Sequence, residues 1–163
     1  MRKLLRDYAM LPIRVFVGSA FVFHGYGKLF AAGGHDGFVG MLQGIGIPLP
    51  DLFAWVVGFI EFGGGFALIA GAWVVPVAAL QTVIILVALF TVHFDAGFSF
   101  MNVIGVTEAG PQFGLPGYEV HLLYLGGLLA LIMNGPGALS VERAIAARRE
   151  SVTSLNLTRR NAA

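Results

Sequence analysis

A handful of side chains in this sequence combine proton or charge chemistry with strongly apolar flanks: Arg14, His24, Lys28, Glu61, His93, Glu119 and His121. His24 and Lys28 are four residues apart and stack on one face of any helix that carries them. An ammonium donates hydrogen bonds, an imidazole donates and accepts, and a carboxylate accepts. Brought together, such groups can hold a carbonyl and take up or release a proton. Sulfur chemistry is excluded within the chain. There is no cysteine, hence no thiol exchange, thiolate metal site or cysteine-ligated iron–sulfur cluster. A zinc or di-iron centre is disfavoured, because no Glu-x-x-His pair exists and Glu119-Val120-His121 points its two ionisable groups to different helix faces. Haem is disfavoured too, since nothing in the spacing of His24, His93 and His121 is specific for it. We therefore expect no metal site, and no residue is singled out as catalytic.

The elements that must position these groups are transmembrane helices. Of 163 residues, 57% are hydrophobic and only 12% charged. Soluble domains carry roughly 25% charged residues, so this chain lacks their polar coat. A net charge of +1 argues against nucleic-acid binding by bulk attraction. Four apolar blocks stand out, at about residues 10–32, 52–71, 74–94 and 118–134. Phe62 to Val92 holds no formal charge over 31 residues, too long for one span. Gly71 and Pro76 bracket the natural break. A secretory signal is the competing reading of the first block, but Arg14, His24 and Lys28 are wrong for a signal core.

The expectation is an all-α integral membrane four-helix bundle over residues 1–137, followed by a short cytoplasmic helix and polar tail over 138–163. Arg2, Lys3, Arg6 and Arg14 precede or open the first span, and Arg143, Arg148, Arg149, Arg159 and Arg160 follow the last. The segments Ala31–Asp51 and Asp95–Gly117 hold no Lys or Arg. The positive-inside rule then places both termini in the cytoplasm and both long loops outside. Asn134-Gly135-Pro136-Gly137 stops the fourth helix, and Ser140 N-caps the next with Glu142 in its first turn.

Depth brings the polar groups together. At helical rise, Lys28 lies roughly 5 Å inside the outer end of the first span, and Glu61 roughly 13 Å from the outer end of the second. His24 is one turn deeper than Lys28, at a depth comparable to Glu61. His93 ends the third span; Glu119 and His121 open the fourth. His24, Lys28, Glu61, His93, Glu119 and His121 thus converge on the outer half as a candidate ligand site. The competing structural reading is that a Glu–Lys or Glu–His pair only fixes helix register, while Lys28 snorkels outward. Arg14 is expected to reach the inner headgroups, and Gln81 to bond across helices. Gly63-Gly64-Gly65 and Gly126-Gly127 are expected to be close-packing faces.

These motifs resemble the DoxX family of small four-helix bacterial membrane proteins. His24-Gly25-Tyr26-Gly27-Lys28-Leu29 after Arg14 is similar to its first-helix motif, and Glu61-Phe62-Gly63-Gly64-Gly65-Phe66-Ala67-Leu68 to its second. Gly117-Tyr118-Glu119 and Gly135-Pro136-Gly137-Ala138-Leu139-Ser140 are similar to its start and end of the fourth helix. The family usually continues Ser-Leu-Asp, where this chain has Ser140-Val141-Glu142. The resemblance implies residence in the bacterial cytoplasmic (inner) membrane. Because some relatives act in quinone-dependent redox chemistry, it also implies a quinone-like ligand. Partners expected are membrane lipid and either a larger redox complex or further copies of the chain. Two alternatives stand beside a redox-associated subunit: a non-catalytic structural or assembly subunit, and a small-solute transporter.

Overall fold

The structure, a computed structural model, describes residues 7–161, with side chains described up to residue 153. Arg2, Lys3 and Arg6, and the side chains of Arg159 and Arg160, lie outside the described residues, so their part in the charge asymmetry is a matter of sequence alone. The chain is mostly helical: α1 Met10–Phe30, α2 Gly34–Gly44, α3 Pro50–Ala70, α4 Val74–Ala88 continuing through a π turn Leu89–His93, α5 Glu119–Asn134 and α6 Val141–Asn161. The four apolar blocks become α1, α3, α4 with its π turn, and α5.

Helix ends follow local chemistry. α3 starts with Pro at its first turn and Asp51 beside it, where a missing N–H costs nothing and a carboxylate meets the helix dipole favourably. It ends at Gly71, whose φ of +71° is the left-handed conformation that a helix C-terminus takes up easily with glycine. A side chain there would also collide with the Arg14 guanidinium and with Ser140. Ser140 caps α6 as expected, its Oγ accepting the Arg143 N–H at 3.3 Å. Glu142 does more than favour the dipole: its Oε1 accepts the Val74 N–H at 2.7 Å and ties α6 to the start of α4.

Buried positions repeat at alternating steps of four and three residues. They are Arg14, Gly18, Phe21 and Gly25 on α1; Ala54, Gly58, Glu61, Gly65 and Leu68 on α3; Val74, Ala78, Gln81 and Ile85 on α4. This is the seam of left-handed helix packing. Phe21, Leu68, Val74, Ala78, Ile85, Leu128 and Leu131 form the core. α1 and α3 meet backbone to backbone. A Cβ at Gly18 would lie 2.7 Å from the Gly65 carbonyl oxygen, and one at Gly65 2.6 Å from that of Gly18. Gly64 faces Gln81, and Gly127 faces Val17, whereas Gly63 and Gly126 have nothing within 4 Å. Only part of each glycine run therefore packs inside the monomer.

Four expectations are corrected. The segment Ala31–Asp51 is not a plain loop: it carries α2, bent by 97° from α1. The segment Asp95–Gly117 contains an antiparallel hairpin, Val103–Thr107 with Gly110–Phe113, so the fold is not purely α. The helix after the bundle is 21 residues long rather than short. Arg14 does not reach headgroups. It is fully buried, and its Nη2 donates to the carbonyls of Ala138 at 3.2 Å and Leu139 at 3.1 Å. Burial of the guanidinium under the 135–140 turn leaves it no route to the surface, and the turn's carbonyls replace water. Gln81 does bond across helices, Nε2 to the Ile60 carbonyl at 3.3 Å.

Among the described residues two helices, Pro50–Ala70 and Val74–His93, are long and apolar enough to cross a membrane on their own, and α1 with α2 qualifies as a bent pair. α5 is apolar but shorter, at 16 residues.

Candidate functional site

The close contact of α1 with α3 creates the centre of the site. Gly25 lies against the backbone of Phe62, and Gly58 against Leu29. With no side chain on either glycine to hold the helices apart, Lys28 reaches across and its Nζ pairs with Glu61 Oε2. Glu61 is 5% exposed. The ammonium also sits 4.9 Å from the centre of the Phe38 ring, a cation–π contact supplied by α2. A charge pair enclosed by apolar helices keeps each partner's cost low only while the other is present.

A second polar group forms where α4 meets α5. The π turn inserts an extra residue into the helix and re-aims the side chains beyond it; such turns recur at functional sites. Here it delivers His93. Its Nδ1 lies 2.7 Å from the Pro116 carbonyl oxygen, and because a carbonyl only accepts, that nitrogen carries the hydrogen. In the neutral ring Nε2 is then a free acceptor. The His121 ring stacks on it with centroids 4.2 Å apart and a tilt of 39°. His121 Nδ1 is buried and makes no hydrogen bond among the described residues. Buried polar atoms are nearly always partnered; among the described residues Arg14 Nε and Nη1, His35 Nδ1 and Gln81 Oε1 share this state.

Both groups face one cavity of about 800 Å³, lined mainly by apolar side chains. His24, Lys28, Glu61, His93 and His121 all line it. Glu119 does not. Its Oε2 accepts the Phe100 N–H at 2.9 Å and fixes the segment that arches over the cavity. Among the described residues no group of three or more His, Cys, Asp or Glu comes together as a metal-ligand set.

Sequence reasoning missed the parts contributed by α2 and the arch. Phe38, Met41 and Leu42 line the cavity from α2, Ile45 from the residue that ends it, and Phe100 and Pro116 from the arch. The spacing of those four residues is that of one helix face, a signal present in the sequence but masked by the flanking glycines. Tyr124, on the α5 wall, was also missed. So was His35, which contacts Asp51 at 3.1 Å and stacks on Trp55 with centroids 4.2 Å apart.

A sequence model of the DoxX family matches residues 9–94, which include His24, Lys28, Glu61 and His93. The chain is 26% identical over 141 residues to the inner membrane protein YqjF of Escherichia coli (strain K12), covering 86% of this chain and 95% of that protein. No solved structure matches significantly. The apolar helices and the likeness to an inner membrane protein together indicate a membrane location.

Proposed function

The chain belongs to the DoxX family, and on that premise we propose that it is a redox-associated membrane subunit holding a quinone-like ligand in the outer half of its bundle. The observation that carries this reading is the meeting of Lys28, Glu61, His93 and His121 around a largely apolar cavity of quinone size. Ligand sites are mostly apolar clefts of a few hundred cubic ångströms with a few placed polar groups. A quinone ring offers two carbonyl oxygens as acceptors. Lys28 Nζ would donate to one, and His121 would donate to the other through its unpartnered Nδ1. Glu61 would hold Lys28 in place and accept or release the accompanying proton. Electrons would come from a partner, since this chain has no cysteine with which to bind a cluster.

In this reading the chain crosses the bacterial cytoplasmic membrane four times, α1, α3, α4 and α5 being the spans. Both termini are inside, and α2 and the hairpin arch lie outside. The Gly18–Gly65 contact and the Arg14 clamp fill the inner half, which argues against a transport path.

The test is equilibrium binding of a tail-less benzoquinone to the purified protein in detergent. Glu61→Gln and Lys28→Met are each expected to weaken it roughly tenfold or more while the protein stays folded. Unchanged binding in both variants would overturn the reading. A second reading, a structural or assembly subunit, is favoured by the open glycine faces at Gly63 and Gly126, which suit docking of a partner helix. Copurification of a stoichiometric partner, with no quinone binding, would support it instead.

A further inference from the structure

The cavity has one side that the protein does not close. From α3, Val56 and Ile60 line it; from α4, Leu80, Val83 and Val87 do so, each set on one helix face. Leu80 is 52% exposed, Val83 58% and Val56 40%, although they are cavity walls. α3 and α4 are in contact where Gly64 meets Val77 and Gln81, and again where Gln81 Nε2 donates to the Ile60 carbonyl. Toward the His93 end, Val56 of α3 and Val83 of α4 line the cavity and yet stay exposed, which leaves a gap between the two helices there. Both are the helices long and apolar enough to cross a membrane unaided, so a gap between them opens on hydrocarbon. The end that faces away from Gly71 is covered by α2, through Phe38 and Met41, and by the arch, through Phe100 and Pro116.

Resting on the ligand-binding reading above, we propose that the cavity fills sideways from the bilayer through the α3–α4 gap. The occupant is a single-chain amphiphile whose hydrogen-bonding head meets the Lys28–Glu61 and His93–His121 pairs while its aliphatic chain lies along Val56, Leu80 and Val83. The wall from Leu80 to Thr91 is roughly 16 Å long at helical rise, enough for a chain and not merely a ring. Lipid tails are as apolar as the valines and leucines of the gap, so moving a chain between them gains little. The head therefore sets affinity, and the gap sets which molecules can present their head at all. Branched side chains, rather than the small residues that let helices dock, line the gap, which favours a flexible chain over a helix of a second copy.

The experiment compares one benzoquinone carrying a decyl tail with the same ring lacking it, using the full chain in lipid nanodiscs. Val83→Trp, which fills the gap, is expected to weaken the tailed probe roughly tenfold and to change the tail-less one less than about twofold. Equal weakening of both probes, or of neither, overturns the proposal. The failure of the head site is read separately: Lys28→Met then leaves both probes unaffected. If neither probe binds the unaltered chain, a second measurement decides. The chain has no cysteine, so Val83→Cys provides a single attachment point for a nitroxide. Accessibility to oxygen with shielding from a water-soluble nickel chelate supports a gap open to lipid. Accessibility to nickel overturns it, and so does dipolar broadening between labels of two copies.

Discussion

At the scale of single residues, a partly buried cation, Lys28, and a fully buried one, Arg14, have different tasks. Lys28 faces a carboxylate in the cavity; Arg14, at the other end of α1, donates to backbone carbonyls and lies within electrostatic reach of Glu142. Removing one partner of an enclosed ion pair leaves a stranded charge, at a cost of about 3 kcal/mol. Lys28→Met and Glu61→Gln are each expected to lower stability by about that much, and the double variant to recover most of it, when unfolding is followed in detergent. Arg14→Met should cost about 2–4 kcal/mol through loss of its charged hydrogen bonds, with no direct effect on ligand affinity. Leu139, whose carbonyl takes one of those bonds, has a φ of +51°, a conformation that a leucine adopts only when held there. His24 and Glu61 were legible in the sequence because depth alone brings them level, and Lys28 because helical spacing stacks it one turn from His24. The role of Glu119 was not, since a carboxylate at the first turn of a helix looks the same whether it faces a ligand or a neighbouring loop N–H.

At the scale of elements, the two helices long and apolar enough to cross a membrane unaided, α3 and α4 with its π turn, were legible because length and charge-free runs are set by the bilayer. Which face of each helix lies inside was not. A helix apolar on all sides gives no amphipathic signal, and the inward seam of α1 and α3 is marked by glycines and by Arg14 and Glu61 instead. The seam makes a prediction that hydropathy does not. Gly25→Leu should force α1 from α3, separate Lys28 from Glu61 and abolish ligand binding. Gly63→Ala, at an open helical position, should be neutral or stabilise by up to about 0.8 kcal/mol. Thermal melts of both variants in the same detergent, with quinone titrations, check the pair. α2 was hidden because Gly33, Gly34, Gly37, Gly40 and Gly44 dilute its apolar face, and the hairpin because Gly and Pro break its short strands.

At the scale of the whole molecule, the bundle is packed tight at one end and opened at the other. Arg14, Gly18–Gly65 and Gln81 fill the end near Gly71, while the π turn, α2 and the arch surround a cavity at the end near His93. The proposed topology puts the cavity on the outer side. Glu108→Cys in the hairpin is then expected to react with a membrane-impermeant maleimide in intact cells, and Ala147→Cys on α6 only after permeabilisation. The reverse pattern would turn the molecule over and place its site against the cytoplasm. The most direct test of the central claim is mass spectrometry of the lipophilic molecules released from the protein after mild purification, alongside its Glu61→Gln/Lys28→Met variant. The account predicts a carbonyl-bearing lipophile near one per chain from the unaltered protein and its depletion from the variant. A profile identical to bulk lipid for both would contradict it.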